Sequence, residues 1–132
     1  MPRKAVDFDT AREIATGLPD VEDSTSYGAP SFKLRGRLLA CQAIHRSAEQ
    51  GSLAVRIDFS LREELVAAEP DVYYVTPHYE PYPTVLVRLG RIDRRSLRKL
   101  LETAWTFVDS KAPKRPRAGR AAGRRRKPRT AG

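Results

Sequence analysis

Past Val108 this chain of 132 residues contains no apolar side chain larger than alanine, proline aside, so any core must be built from what precedes that point. The charge divides at the same place. Of 25 Lys and Arg, 10 fall at 111–132 with no Asp or Glu among them, which leaves 15 bases against 16 acids, a net of −1, over residues 1–110. The formal charge of +9 therefore describes the last 22 residues rather than a basic fold. Pro113, Pro116 and Pro128 interrupt that stretch, and without apolar surface to bury it cannot offset its ordering entropy. The expectation is one domain over 1–110, large enough for a single modest core, followed by a disordered basic tail over 111–132.

A single cysteine, Cys41, excludes an internal disulfide, and Met1-Pro2-Arg3-Lys4 runs into Asp7 and Asp9 rather than into an apolar signal core. No apolar run approaches the ~20 residues of a membrane span. A soluble cytoplasmic protein is the expectation.

Val6, Ala11, Ile14, Ala15 and Leu18 recur at helical spacing, which predicts a helix over 8–18 with Asp7 or Thr10 as cap and Thr10-Glu13 as a capping box. Residues 21–28, polar and without period, read as a loop. From Ser31 the period changes to two. Ser31 to Arg35 and Leu38 to Ile44 flank Arg35-Gly36, a hairpin tip, and Leu53, Val55, Ile57 and Phe59 alternate along a third strand. Ser60-Leu61-Arg62-Glu63 matches a capping box that opens a short helix ending before Pro70. Val72 to Val75 fits a short fourth strand, the three prolines between Thr76 and Pro83 mark a stiff loop, and Thr84 to Leu89 is a further strand. Leu97, Leu100, Leu101, Ala104, Trp105 and Val108 then form a continuous apolar stripe on a final helix, with Asp93 as N-cap and Ile92 and Leu97 as a hydrophobic staple. This order predicts an α+β domain with a mostly antiparallel sheet, helices packed on one face and the other face open.

Leu18-Pro19, the run Tyr27 to Arg37, Asp58 to Glu63, Val75-Thr76-Pro77-His78-Tyr79, Val85 to Leu89, and Leu101 to Trp105 follow one another in a set order and spacing. Together they resemble the MmcQ/YjbR family of small bacterial proteins over about residues 8–113. The resemblance implies a secretion-chaperone-like sheet, described as a double-wing motif, and a DNA-binding label that rests on fold analogy. The segment beyond Pro113 departs from the usual family pattern, in which the chain ends soon after the last helix.

Three groups of residues are candidates for function. In the tail, Lys114, Arg115, Arg117, Arg120, Arg124, Arg125, Arg126, Lys127 and Arg129 suit nonspecific phosphate contacts with DNA or another polyanion. The run Lys114 to Arg120 is similar to an AT-hook, but Ala118 interrupts its Arg-Gly-Arg core. On the body, alternation places Lys33, Arg35 and Arg56 on an outward face, with Arg37 near the hairpin tip and Arg88 close by, where they could orient nucleic acid, although Asp58 dilutes the patch. An ordinary solvated face is an equal reading. Tyr74, His78 and Tyr79 are candidates for a small pocket, against a purely structural loop.

Catalysis is not expected. Cys41 and His45 are four residues apart, a span of ~13 Å on a strand, and the two histidines and one cysteine lack metal-ligand spacing. No cofactor or metal is implied. The alternative to DNA binding is a protein-interaction or chaperone-like module that uses the open sheet face for a partner or a second copy. Residues alone leave the oligomeric state open.

Overall fold

Asp7 accepts from the Thr10 amide at 2.9 Å, while its own amide donates to the Thr10 hydroxyl, and this reciprocal cap starts α1 (Phe8–Thr16). The cap is therefore Asp7, with Thr10 as its partner, and not the Thr10-Glu13 pair. The computed structural model describes residues 6–26 and 28–111. Predicted disorder at 112–132 lies outside the described residues, and so do the tail phosphate contacts named above.

The stretch expected to be a loop is a strand, β1 (Val21–Ser26), paired along its whole length with β2 (Ala29–Leu34). It carries no apolar alternation because it is the sheet's edge and most of its side chains are exposed. The hairpin from β2 to β3 (Arg37–Gln42) turns at Arg35 and Gly36, with φ of 47° and 87°. Positive φ at both central residues gives a turn whose twist matches the flanking strands. Next comes β4 (Ser52–Arg56), which stops earlier than the alternation through Phe59 predicts. The reason is Asp58, whose carboxylate accepts from the Leu61 amide at 2.8 Å and begins α2 (Phe59–Ala68). The N-cap is thus Asp58 and not Ser60. The chain continues through β5 (Tyr73–Tyr74), β6 (Thr84–Arg88) and α3 (Arg94–Asp109), the last capped by Asp93 as expected.

These strands form one antiparallel six-stranded sheet in the order β1-β2-β3-β4-β6-β5. On one face Phe32, Leu34, Leu39, Leu53, Val55, Val85 and Val87 meet Ile14, Leu97, Leu101 and Val108 in the main core, with Leu61 and Leu65 of α2 packed against it. All three helices lie on this side. Trp105 reaches only the margin of the core, half-buried, and its indole N–H donates to the Pro19 carbonyl at 2.8 Å. The domain is α+β with an open second face, as the alternation predicts.

Candidate functional site

The side chains left for the open face follow from the period of two. With Leu53 and Val55 turned to the helices, Ser52, Ala54 and Arg56 of β4 point the other way, and so do Thr84, Leu86 and Arg88 of β6. Ala54 pairs with Cys41 on β3 and Arg56 with Thr84. Ala29, Cys41, Ala54 and Thr84 are all small, so the centre of this face is a depression. Two loops wall it, Ile44 to Arg46 after β3 and the segment through His78, Tyr79 and Tyr82 before β6. The result is a groove of about 620 Å³, which Ser26, Leu38 and Gln42 also line.

Both walls are tied down. The Ser47 and Thr76 hydroxyls are 2.8 Å apart, and the His45 and His78 rings stack with centroids 3.5 Å apart and planes 8° from parallel. Tyr79 stands edge-on to both rings. On the far side of the sheet, buried Arg62 donates through Nη1 to the carbonyls of Glu80, Tyr82 and Thr84 at 3.2, 2.9 and 3.2 Å, holding the second wall against α2.

Electrostatically the groove is one-signed. Its lining residues include Arg46 and Arg56 and no carboxylate, and among the described residues neither arginine has an ion pair or hydrogen bond. Burial pushes the Cys41 thiol above its ordinary pKa, and nearby Arg56 pulls it partly back. His45 is held below the ordinary histidine value, first by partial burial and then by His78 and Arg46. Burial likewise raises the Tyr79 phenol, against a hydrogen bond from the His45 backbone.

The basic residues expected to share one face are dispersed. Arg56 lines the groove, Lys33 sits on the open face opposite Glu22 in the strand register, without an ion pair to it, and Arg37 is exposed at the hairpin tip. Arg35 turns away to Asp20 and Asp109. Arg88 grips Glu49 through Nε and Nη2 at 2.9 and 2.7 Å, donates to the Pro70 and Asp71 carbonyls, and lies 4.2 Å above the Tyr74 ring. Of the pocket residues, His78 and Tyr79 reach the groove, whereas Tyr74 lies under Arg88 with its hydroxyl 2.6 Å from that of Ser52. Asp58, expected to dilute the patch, is occupied as a helix cap. Arg46 and Ile44 were not singled out by sequence, since a strand's exit carries no pattern that tells where its next side chains turn.

The family model described as YjbR matches residues 16–107. The chain belongs to the YjbR family. Uncharacterised proteins of Mycobacterium bovis and Mycobacterium tuberculosis are 31% identical to this YjbR protein over 121 residues, covering 81% of its chain and 89% of theirs. A crystal structure of a Deinococcus radiodurans protein with the family-model domain DUF419 shares the fold, with a TM-score of 0.67 at 23% identity over 81% of each chain. Among the described residues, no helix is long and apolar enough to cross a membrane, and no group of three or more His, Cys, Asp or Glu is arranged to hold a metal ion.

Proposed function

We propose that this YjbR protein is a nonenzymatic, cytoplasmic nucleic-acid-binding protein. The segment 111–132 supplies sequence-independent affinity for phosphates, and Lys33, Arg37 and Arg56 on the body contribute orientation. The observation that carries this reading is the charge layout, in which ten bases without one acid follow a body of net charge −1. Chains of this composition bind phosphates by releasing condensed counterions, a term that needs no folded surface. On the body, Lys33, Arg37 and Arg56 have no ion pair among the described residues and keep their charge available, while Arg35 and Arg88 have theirs offset by carboxylates.

The test is duplex-DNA affinity against salt for the full chain and for a chain stopped at Ser110. If about half of the tail charges meet phosphates, log Kobs against log salt falls with a slope of roughly −4 to −5 for the full chain and close to zero for the shorter one. Equal binding by the shorter chain would move the affinity to the body. Absence of binding by both at moderate salt would remove the DNA reading.

A further inference from the structure

The groove on the open sheet face has a composition that nucleic-acid binding through 111–132 does not use. A site for phosphate backbone has no need of a confined apolar floor. This one has Ala29, Leu38, Cys41 and Ala54 beneath, Tyr79 and the half-exposed Tyr82 at one wall, and Ile44, 59% exposed, at the other. A large aliphatic side chain left in water at the mouth of a depression gains free energy when something apolar covers it. The volume of about 620 Å³ falls inside the ~300–1,000 Å³ span of small-molecule sites, which combine an apolar lining with a few convergent polar groups.

From this we infer that the groove binds a small organic anion with a planar apolar body, its charged group meeting Arg56 and Arg46 and its plane lying between the floor and the Tyr79-Tyr82 wall. Charge complementarity selects the occupant. Two arginines line the space without a carboxylate in the lining, so a neutral ligand leaves their charge unanswered and a cation is repelled. The chain's own basic segment 111–132 is excluded on the same ground. The shape of the site is set in advance, because the His45-His78 stack, the Ser47-Thr76 hydrogen bond and the three carbonyls on Arg62 hold the walls before any ligand arrives. Arg56 is a binding residue of this site and Arg62 a positioning residue.

The full chain, isotopically labelled, is titrated with 1-naphthoate, with neutral 1-naphthamide and with inorganic phosphate, while alkylation of Cys41 by N-ethylmaleimide is timed in parallel. Naphthoate is expected to shift the amide signals of His45, Ala54 and Tyr79 and to slow Cys41 alkylation. Naphthamide, phosphate alone, and naphthoate with Arg56→Gln should each bind about tenfold more weakly or worse, as the loss of one charge-assisted contact or of the apolar body requires. Arg56→Gln is checked by its urea midpoint, and Ala54→Leu, which fills the floor, is expected to block naphthoate through bulk alone. Equal binding of naphthamide, an unchanged affinity in Arg56→Gln, or shifts confined to 111–132 would overturn the proposal. So would an oligonucleotide that moves the groove signals when naphthoate does not, since the groove would then be a nucleic-acid subsite. A failed salt dependence for DNA leaves this result untouched, because that comparison reads the presence of 111–132 whereas the naphthoate titration reads the groove, Arg56 being present in both chains.

Discussion

Arg35, in the left-handed conformation at the β2–β3 turn, donates to the Asp109 carboxylate 74 positions further along the chain and at 2.9 Å to that of Asp20. Asp109 is the last residue of α3, where a negative charge opposes the helix dipole, so the guanidinium answers a local electrostatic conflict as well as closing the turn onto the helix. Arg35→Gln removes the cation shared by the part-buried Asp20 and Asp109 carboxylates. The side chains are 16%, 23% and 27% exposed, so solvent screening reduces the cost to about 1–2 kcal/mol. Urea denaturation should show this loss while the salt slope of DNA binding stays unchanged. A changed slope with an unchanged midpoint would return Arg35 to the nucleic-acid surface.

Among the described residues Arg62 is the one buried cation, its hydrogen bonds span α2 and the groove wall, and its Nε has no hydrogen-bond partner. Arg62→Leu keeps the apolar stem but removes the donor shared by the carbonyls of Glu80, Tyr82 and Thr84, leaving the Tyr82 carbonyl with the Thr84 N–H. The expected cost is about 2–4 kcal/mol, in the range for breaking a buried charge-assisted set. Amide exchange at Thr84, whose N–H donates to Tyr82 at 2.7 Å, should accelerate more than exchange at Leu97 in the core. Equal acceleration at both would mean that Arg62 supports the whole fold and not the wall in particular.

Much of this architecture is legible residue by residue. The alternation of Leu53 and Val55 against Ala54 and Arg56 states which face of β4 meets the helices, and the stripe from Leu97 to Val108 states the same for α3. Where the pattern failed, tertiary placement decided. β1 shows no alternation because an edge strand needs none, and Asp58 and Ser60 are both competent caps, of which Asp58, the earlier in the chain, takes the role and ends β4 at Arg56. Long basic side chains were the hardest to place. Lys33, Arg35, Arg56 and Arg88 look alike in sequence, yet partners such as Asp109 and Glu49 are remote and visible only after folding. His78 and Tyr79 were marked by their setting among tyrosines and prolines. Their opposite wall, Ile44 to Arg46, had no local signal, and His45 drew notice only as a base for Cys41 or a metal ligand, both set aside on spacing.

Trp105 holds the exit of α1 to the face of α3 by one directional contact. Its ring is half-buried against the core and its N–H reaches the Pro19 carbonyl. Trp105→Phe retains most of the apolar area and removes only the donor, so the loss should be about 1 kcal/mol. Trp105→Leu, which also gives up ring area, should lose more. Equal midpoints for the Phe variant and the parent would show that the Pro19 carbonyl is served as well by water.

His45 makes the domain sensitive to mild acid. Partial burial, then the stacked His78 ring and Arg46, disfavour its cation, and its Nδ1 accepts from the Ser47 amide at 3.0 Å, an acceptor that protonation there removes. Tyr79, edge-on to the ring, adds no charge near neutral pH because its phenol is raised above the ordinary value. The folded-state pKa of His45 thus lies below 6.5, the ordinary value from which it is lowered. Above 6.5 both folded and unfolded chains hold the neutral ring and stability carries no penalty from it. As pH falls, the unfolded chain takes up the proton first, and stability declines until the folded-state value is passed. Denaturation midpoints measured from pH 7.5 to 5 should drop for the parent. They should drop less for His45→Asn, whose side-chain oxygen can accept from the residue two positions on without titrating. Parallel curves for the two proteins would assign the acid sensitivity elsewhere.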